Sequence, residues 1–131
     1  MSGQGRQEVY VDGLHEPISH YTHGVVCGNL VFVSGCVAAD SHGDLIGGDD
    51  PAAQTRQVLE NLAAILSAAG TSLASVLKVT VYLTDIDDRP KINPVRQEFF
   101  GDVRPASTLI EVSRLALPGA KVEIDVVACI P

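Results

Sequence analysis

The chain has 131 residues, of which 46% are hydrophobic and 19% are charged, a balance typical of a folded domain rather than of a disordered segment. Its net charge is -7 and it has no basic run, which argues against tight binding to nucleic acid or to an anionic membrane. No apolar run approaches the roughly 20 residues that span a bilayer, and no signal peptide is recognisable at the N-terminus. We therefore expect a single cytoplasmic domain that comprises residues 1–131.

The first part of the chain predicts three short strands. After a loose segment over residues 1–7, a strand is predicted over Glu8–Val11, followed by a loop that contains Tyr21 and three histidines. Val25–Cys27 and Leu30–Ser34 predict a hairpin, because the Gly-Asn pair between them tolerates positive φ angles. Residues 40–50 are rich in glycine and aspartate and predict turns.

The strongest helix signal follows these turns. Asp49 or Asp50 can cap a helix and Pro51 suits its first position, while Gly70 is typical of a residue that ends one. Apolar residues recur between them at helical spacing, at Val58, Leu62, Ile65, Leu66 and Ala69. The polar side of the helix carries Gln54, Arg56, Gln57, Glu60 and Asn61.

The second half of the chain predicts three strands and one helix. Alternation over residues 77–84 predicts a strand with two different faces, and residues 90–100 predict a shorter helix that Gly101 ends. Residues 107–113 and 122–130 predict two more strands, with a turn at Pro118-Gly119 between them. The apolar side chains of the first of these three strands are Leu77, Val79, Val81 and Leu83.

The predicted order β-β-β-α-β-α-β-β indicates an α+β fold with two helices on one face of a single mixed sheet. The opposite face is part polar and part apolar, because Glu123 and Asp125 of the last strand point away from the helices. A monomer would leave the apolar part of that face in water, so we expect another subunit to cover it.

Four segments together resemble the RidA/YjgF (reactive intermediate deaminase) family in order and spacing: VFVSG at 31–35, DPAAQTRQVLENL at 50–62, RPAS at 104–107 and KVEID at 121–125. The resemblance implies a chorismate-mutase-like fold and a homotrimer whose three sheets form a central barrel. It also implies ligand clefts between subunits and hydrolysis of enamines and imines, such as 2-aminoacrylate, to a keto acid and ammonia. No metal or organic cofactor is implied.

The resemblance also assigns site residues. Tyr21 matches the tyrosine that covers the ligand, Ser34 a hydrogen-bonding serine, and Asn93 the asparagine at the start of the second helix. Glu123 matches the glutamate that positions the hydrolytic water.

Two positions depart from the family pattern. Enamine deaminases of the family carry an arginine that binds the substrate carboxylate where this chain has Ser107. Many relatives have a cysteine where this chain has Leu109. We keep both positions as substrate-binding residues, but their change predicts a different ligand.

Alternatives remain open for several of these residues. Glu123 could instead be an interface carboxylate paired with Lys121, and Ser34 a small residue in a packed strand. Arg96 lies one helical turn after Asn93, so that both can share a face. It could supply the charge that is missing at Ser107, or it could be a solvated surface arginine.

The histidines and cysteines indicate neither a metal site nor a nucleophile. His15, His20 and His23 lack the spacing of a helical HExxH site, so we expect a loop histidine to line the cleft rather than to bind metal. Cys36 has no histidine near it in the sequence to activate it. The odd, widely spaced set of cysteines is typical of reduced core residues: Cys27, Cys36 and Cys129.

Two functions follow from these observations. The first is a hydrolytic enamine or imine deaminase that acts on a small metabolite at the interfaces of a homotrimer. The alternative is a non-catalytic trimer that binds a small metabolite or a partner protein, which the serine at position 107 favours. A ribonuclease is not expected, because the chain is acidic and has no histidine pair placed for acid-base chemistry.

Overall fold

A computed structural model describes residues 5–131 and contains one mixed sheet of six strands in the order β1-β2-β3-β6-β4-β5. Neighbouring strands are antiparallel except for β4 and β5, which are parallel. The predicted order of elements is confirmed. The strands are β1 (Arg6–Val9), β2 (Gly24–Cys27), β3 (Leu30–Cys36), β4 (Val76–Leu83), β5 (Ala106–Glu111) and β6 (Val122–Cys129).

Two helices, α1 (Pro51–Ala68) and α2 (Arg89–Phe100), cover one face of the sheet. Of the two candidate caps, it is Asp50 that caps α1: its carboxylate accepts a hydrogen bond from the amide of Ala52 at 3.0 Å. This bond satisfies one of the amide groups that the first turn of a helix leaves unpaired. The core lies between α1 and the central strands, where its largest members are Leu59, Leu62, Ile65, Leu66, Leu83, Ile92 and Ile124.

Two details of the strands differ from the prediction. Strand β1 begins at Arg6 rather than at Glu8, so part of the segment predicted to be loose is paired, while residues 1–4 lie outside the described part of the chain. In β4 the pairing with β6 shifts between Val76 and Lys78. This irregularity buries Val76 and leaves Leu77 47% exposed, because one extra residue reverses which side chains face the core.

The polar side of α1 does more than face solvent. Gln54 is fully buried, its amide nitrogen donates to the carbonyls of Gly48 and Gly119, and its Oε1 accepts from the amide of Lys121. Asn61 donates to the carbonyls of Val37 and Ala39 at 3.2 and 3.0 Å. These two side chains therefore attach α1 to the loops at the start of β6 and after β3.

The sheet face opposite the helices carries both apolar and polar side chains. Phe32 of β3 is 50% exposed and Ile110 of β5 is 40% exposed. Between these strands, the hydroxyl of Tyr82 donates to Asp125 at 2.8 Å. Within residues 5–131, neither helix has the length and hydropathy that crossing a membrane requires.

Candidate functional site

A cleft of about 660 Å³ lies where the bulged end of β3 meets the start of β6. Three of the predicted site residues, Tyr21, Ser34 and Glu123, line this cleft together. Leu117 and Pro118, from the loop before β6, supply an apolar part of its wall. The cleft therefore combines a carboxylate, a hydroxyl and an aromatic ring with an apolar surface, as sites for small organic molecules commonly do.

Ser34 is held as a hydrogen-bonding group. Its amide donates to the carbonyl of His23 at 3.0 Å, and its hydroxyl donates to the carbonyl of Thr22 at 2.6 Å. Because the hydroxyl proton is directed to a carbonyl and not to a base, the serine is not activated as a nucleophile. Its oxygen retains lone pairs that can accept a hydrogen bond from a ligand.

Glu123 lies half-buried over the backbone of Gly35, in the stretch of β3 where the pairing with β6 is irregular. A Cβ atom at Gly35 would lie 2.9 Å from the Cδ of Glu123 and closer still to its Oε2. The glycine is thus required for space, since its φ is not in the left-handed region. Burial raises the pKa of Glu123, and the nearby charge of Asp125 raises it further.

The neighbours of Glu123 leave its carboxylate available. Asp125 accepts its hydrogen bond from Tyr82 of the same chain, which raises the pKa of Tyr82. No ion pair joins Glu123 to Lys121, the alternative partner considered from the sequence. A half-buried carboxylate with a raised pKa and no ion pair within residues 5–131 is suited to take up and release a proton.

Two histidines of the chain line the cleft, and a third supports its wall. His15 and His42 both belong to the lining of the cleft that contains Glu123. His23 is buried: its Nδ1 accepts from the amide of Val11, so its Nε2 donates to the carbonyl of His15 at 3.0 Å. Across residues 5–131, no three histidine, cysteine or acidic side chains are grouped closely enough to hold a metal ion.

Cys36 is close to the site, but its thiol is unreactive. Burial raises the pKa of its thiol to about 12, and the charges of Glu123 and Asp125 contribute to the shift. A thiol with this pKa is protonated at physiological pH and is therefore a poor nucleophile.

The other predicted site residues lie elsewhere in the chain. Asn93 lies at a separate groove of about 210 Å³ beside α2, and Ser107 lies next to it, since the Nη2 of Arg96 donates to its Oγ at 3.0 Å. Ser107 and Leu109 pair in parallel register with two core-facing residues of β4, whereas Glu123 pairs with Tyr82 on the other face. One chain thus holds Glu123, Ser34 and Tyr21 as one group and Asn93 with Ser107 as another. Leu109 belongs to neither group, since it packs against the hydrophobic core.

Sequence reasoning missed several residues that shape the site. His42 lies in a turn-rich segment whose sequence has no periodic pattern that would predict a place in the cleft lining. Leu117 reaches the cleft wall only because of the conformation of the turn before β6. Gln54 fixes that turn by accepting from Lys121, yet its position in the sequence matches only the polar side of a helix. The one local sequence feature that could have indicated the site is Gly35, whose lack of a side chain makes room for Glu123.

Comparison with known proteins places this arrangement in a family. A RutC family protein of Pyrococcus horikoshii is 42% identical over 94% of this chain and 97% of its own. The 3-aminoacrylate deaminase RutC of Acinetobacter baylyi is 38% identical over 94% of this chain and 97% of its own. The crystal structure of RidA from the Antarctic bacterium Psychrobacter sp. matches with a TM-score of 0.87 at 34% identity, covering 95% of this chain and 99% of that one. Residues 13–130 match the family model described as Endoribonuclease L-PSP, and the chain therefore belongs to the RidA/YjgF family.

Proposed function

We propose that this protein is a hydrolytic imine or enamine deaminase that acts on a small metabolite. The observation that carries the proposal is the half-buried carboxylate of Glu123, which forms no ion pair with the described residues and lines a cleft shared with Ser34 and Tyr21. A deaminase-type role is supported at the level of the family by the relative named 3-aminoacrylate deaminase.

The residues of the cleft suit each step of imine hydrolysis. Glu123 accepts a proton from a water molecule as the water oxygen bonds to the imine carbon and the C=N electron pair moves to nitrogen. The carboxylic acid then returns this proton to nitrogen, which gives a carbinolamine. The carboxylate next takes the hydroxyl proton of the carbinolamine and delivers it to the amino group as the C=O bond forms and the C–N bond breaks, so that ammonia leaves and the carboxylate is regenerated. A raised pKa helps both transfers, because the group must gain and lose a proton within one cycle. Ser34 and Tyr21 orient the substrate.

We further propose that the complete site forms between subunits of a homotrimer. The groups around Glu123 and around Asn93 lie apart within one chain, so a second copy must supply one of them if both bind the same ligand. The partly apolar sheet face that carries Phe32 and Ile110 offers a surface for such association. We propose no metal, organic cofactor or nucleic acid partner.

A non-catalytic trimer that binds a small metabolite or a partner protein is the second candidate. The observation that favours it is the hydroxyl of Ser107, which offers no charge and already accepts a hydrogen bond from Arg96. Binding of a keto acid with no turnover of any imine would support this candidate.

Replacement of Glu123 by glutamine tests the proposed chemistry. The amide keeps the shape of the side chain but cannot carry the proton, so turnover should fall about 100-fold or more. The assay measures ammonia and keto acid release from imines generated in situ from small amino acids by an oxidase. Glu60→Gln, which removes an exposed carboxylate from α1, should behave as wild type. Equal turnover by Glu123→Gln and wild type would remove Glu123 from the mechanism.

A further inference from the structure

The groove beside α2 contains two arginines without a carboxylate partner in the described chain. Arg96 and Arg104 both line this groove of about 210 Å³, and neither belongs to any of the three ion pairs within residues 5–131. The chain has 16 acidic residues against 9 basic ones, so acidic side chains are in excess. A local concentration of unneutralised positive charge in such a chain indicates a site for an external anion.

Arg96 is partly buried and is hydrogen-bonded within the chain. Its Nη2 donates to Ser107 Oγ at 3.0 Å, and burial lowers the pKa of the guanidinium from its ordinary value. A guanidinium has five N–H donors in a planar fork, so four remain after this bond. Partial burial of an arginine costs desolvation free energy, and a bound anion would offset that cost.

We propose that Arg96, on α2, is the residue that binds the carboxylate of the ligand in this groove. The planar fork matches the two oxygens of a carboxylate. The amide of Asn93, which lines the same groove, can hydrogen-bond to the next polar atom of the ligand. The volume of the groove fits a carboxylate and a few further atoms rather than a nucleotide.

This inference deepens the proposed function and rests on it in one respect, because it assigns the carboxylate to the imine that is hydrolysed. The binding of the acid itself can be measured without turnover. The probe is 2-oxobutyrate, a keto acid of the product class, and its neutral counterpart is 2-butanone. Dissociation constants are measured by calorimetry at constant ionic strength, with inorganic phosphate as a second anion.

Arg96→Gln should weaken the binding of 2-oxobutyrate about 10-fold or more, as expected for loss of a charge-assisted pair. Binding of 2-butanone should not change. The matched control is Arg89→Gln, which removes an exposed arginine of the same helix that does not line the groove. Arg96→Lys should show an intermediate loss, since it keeps the charge without the fork. Thermal unfolding of each variant verifies the fold.

Three results would overturn the proposal. One is equal affinity of wild type and Arg96→Gln for 2-oxobutyrate, and another is an equal loss in Arg89→Gln. The third is binding of phosphate, but not of the keto acid, that depends on Arg96. If instead Arg96-dependent binding is found without hydrolysis of any imine, the deaminase proposal fails while the carboxylate site stands.

Discussion

The absence of a side chain at position 35 gives the most direct test of how Glu123 is positioned. In Gly35→Ala, the new methyl group would lie 2.9 Å from the Cδ of Glu123, well inside a normal contact. The carboxylate is the end of a flexible side chain, so it can move aside at a cost that we place at about 1 kcal/mol or less, partly offset by the reduced entropy of the unfolded chain. A displacement of about 1 Å in a reacting group can cost about 100-fold in rate. We therefore expect a stable protein with turnover reduced about 10- to 100-fold.

A double-mutant cycle decides whether the effect passes through Glu123. Turnover of imines is compared in wild type, Gly35→Ala, Glu123→Gln and the double variant, with thermal unfolding as the control for folding. If the methyl group acts by displacing the carboxylate, it should add little to the loss already caused by Glu123→Gln. Full additivity of the two losses, or unchanged turnover in Gly35→Ala, would refute the reasoning.

Two further predictions concern stability and assembly. Burial raises the pKa of Glu123 above the ordinary value of 4.5, so the folded state binds this proton more tightly than the unfolded state. The protonated group therefore contributes fully to the free energy of unfolding below the unfolded-state pKa, and this contribution is lost as the pH rises through the folded-state pKa. Glu123→Gln should accordingly be at least as stable as wild type at about pH 7, and the difference in the free energy of unfolding should shrink below pH 4.5. Denaturant unfolding at both pH values measures this difference, and a variant less stable than wild type at neutral pH would contradict the prediction. Light scattering at micromolar concentration should give the mass of a trimer, and Phe32→Asp should shift the measured mass toward that of the monomer. A monomer mass for the wild type would refute the proposal that the site forms between subunits.

The elements of the fold could be predicted because their patterns are local. The cap at Asp50, the proline after it and the apolar spacing that follows depend on neighbours within one helix. The irregularity beside Val76 could not be predicted, because a bulge is fixed by how two distant strands pair and leaves no local pattern. The same holds for the shift between β3 and β6 next to Gly35.

The site could be predicted only in part, for a related reason. The resemblance identified Ser34 and Glu123, which the fold brings to one cleft. Polar residues that organise the cleft from behind carry no such signal: Gln54 occupies an ordinary polar position of a helix, yet it is buried and fixes the turn before β6. Sequence periodicity separates polar from apolar positions, but it does not show which polar side chains have buried partners.

The position of Arg96 gives the serine at 107 a physical explanation. An arginine at 107 would have its first atoms beside the guanidinium that now donates to Ser107 Oγ at 3.0 Å. Two guanidinium groups brought close together in a half-buried site repel each other unless an anion lies between them. The small side chain at 107 therefore accommodates the guanidinium of Arg96, which a second arginine at this position would repel. Glu123, the group that we propose to activate water, lies on β6 and lines the other cleft, so recognition of the ligand around Arg96 can change while the proposed chemistry stays the same.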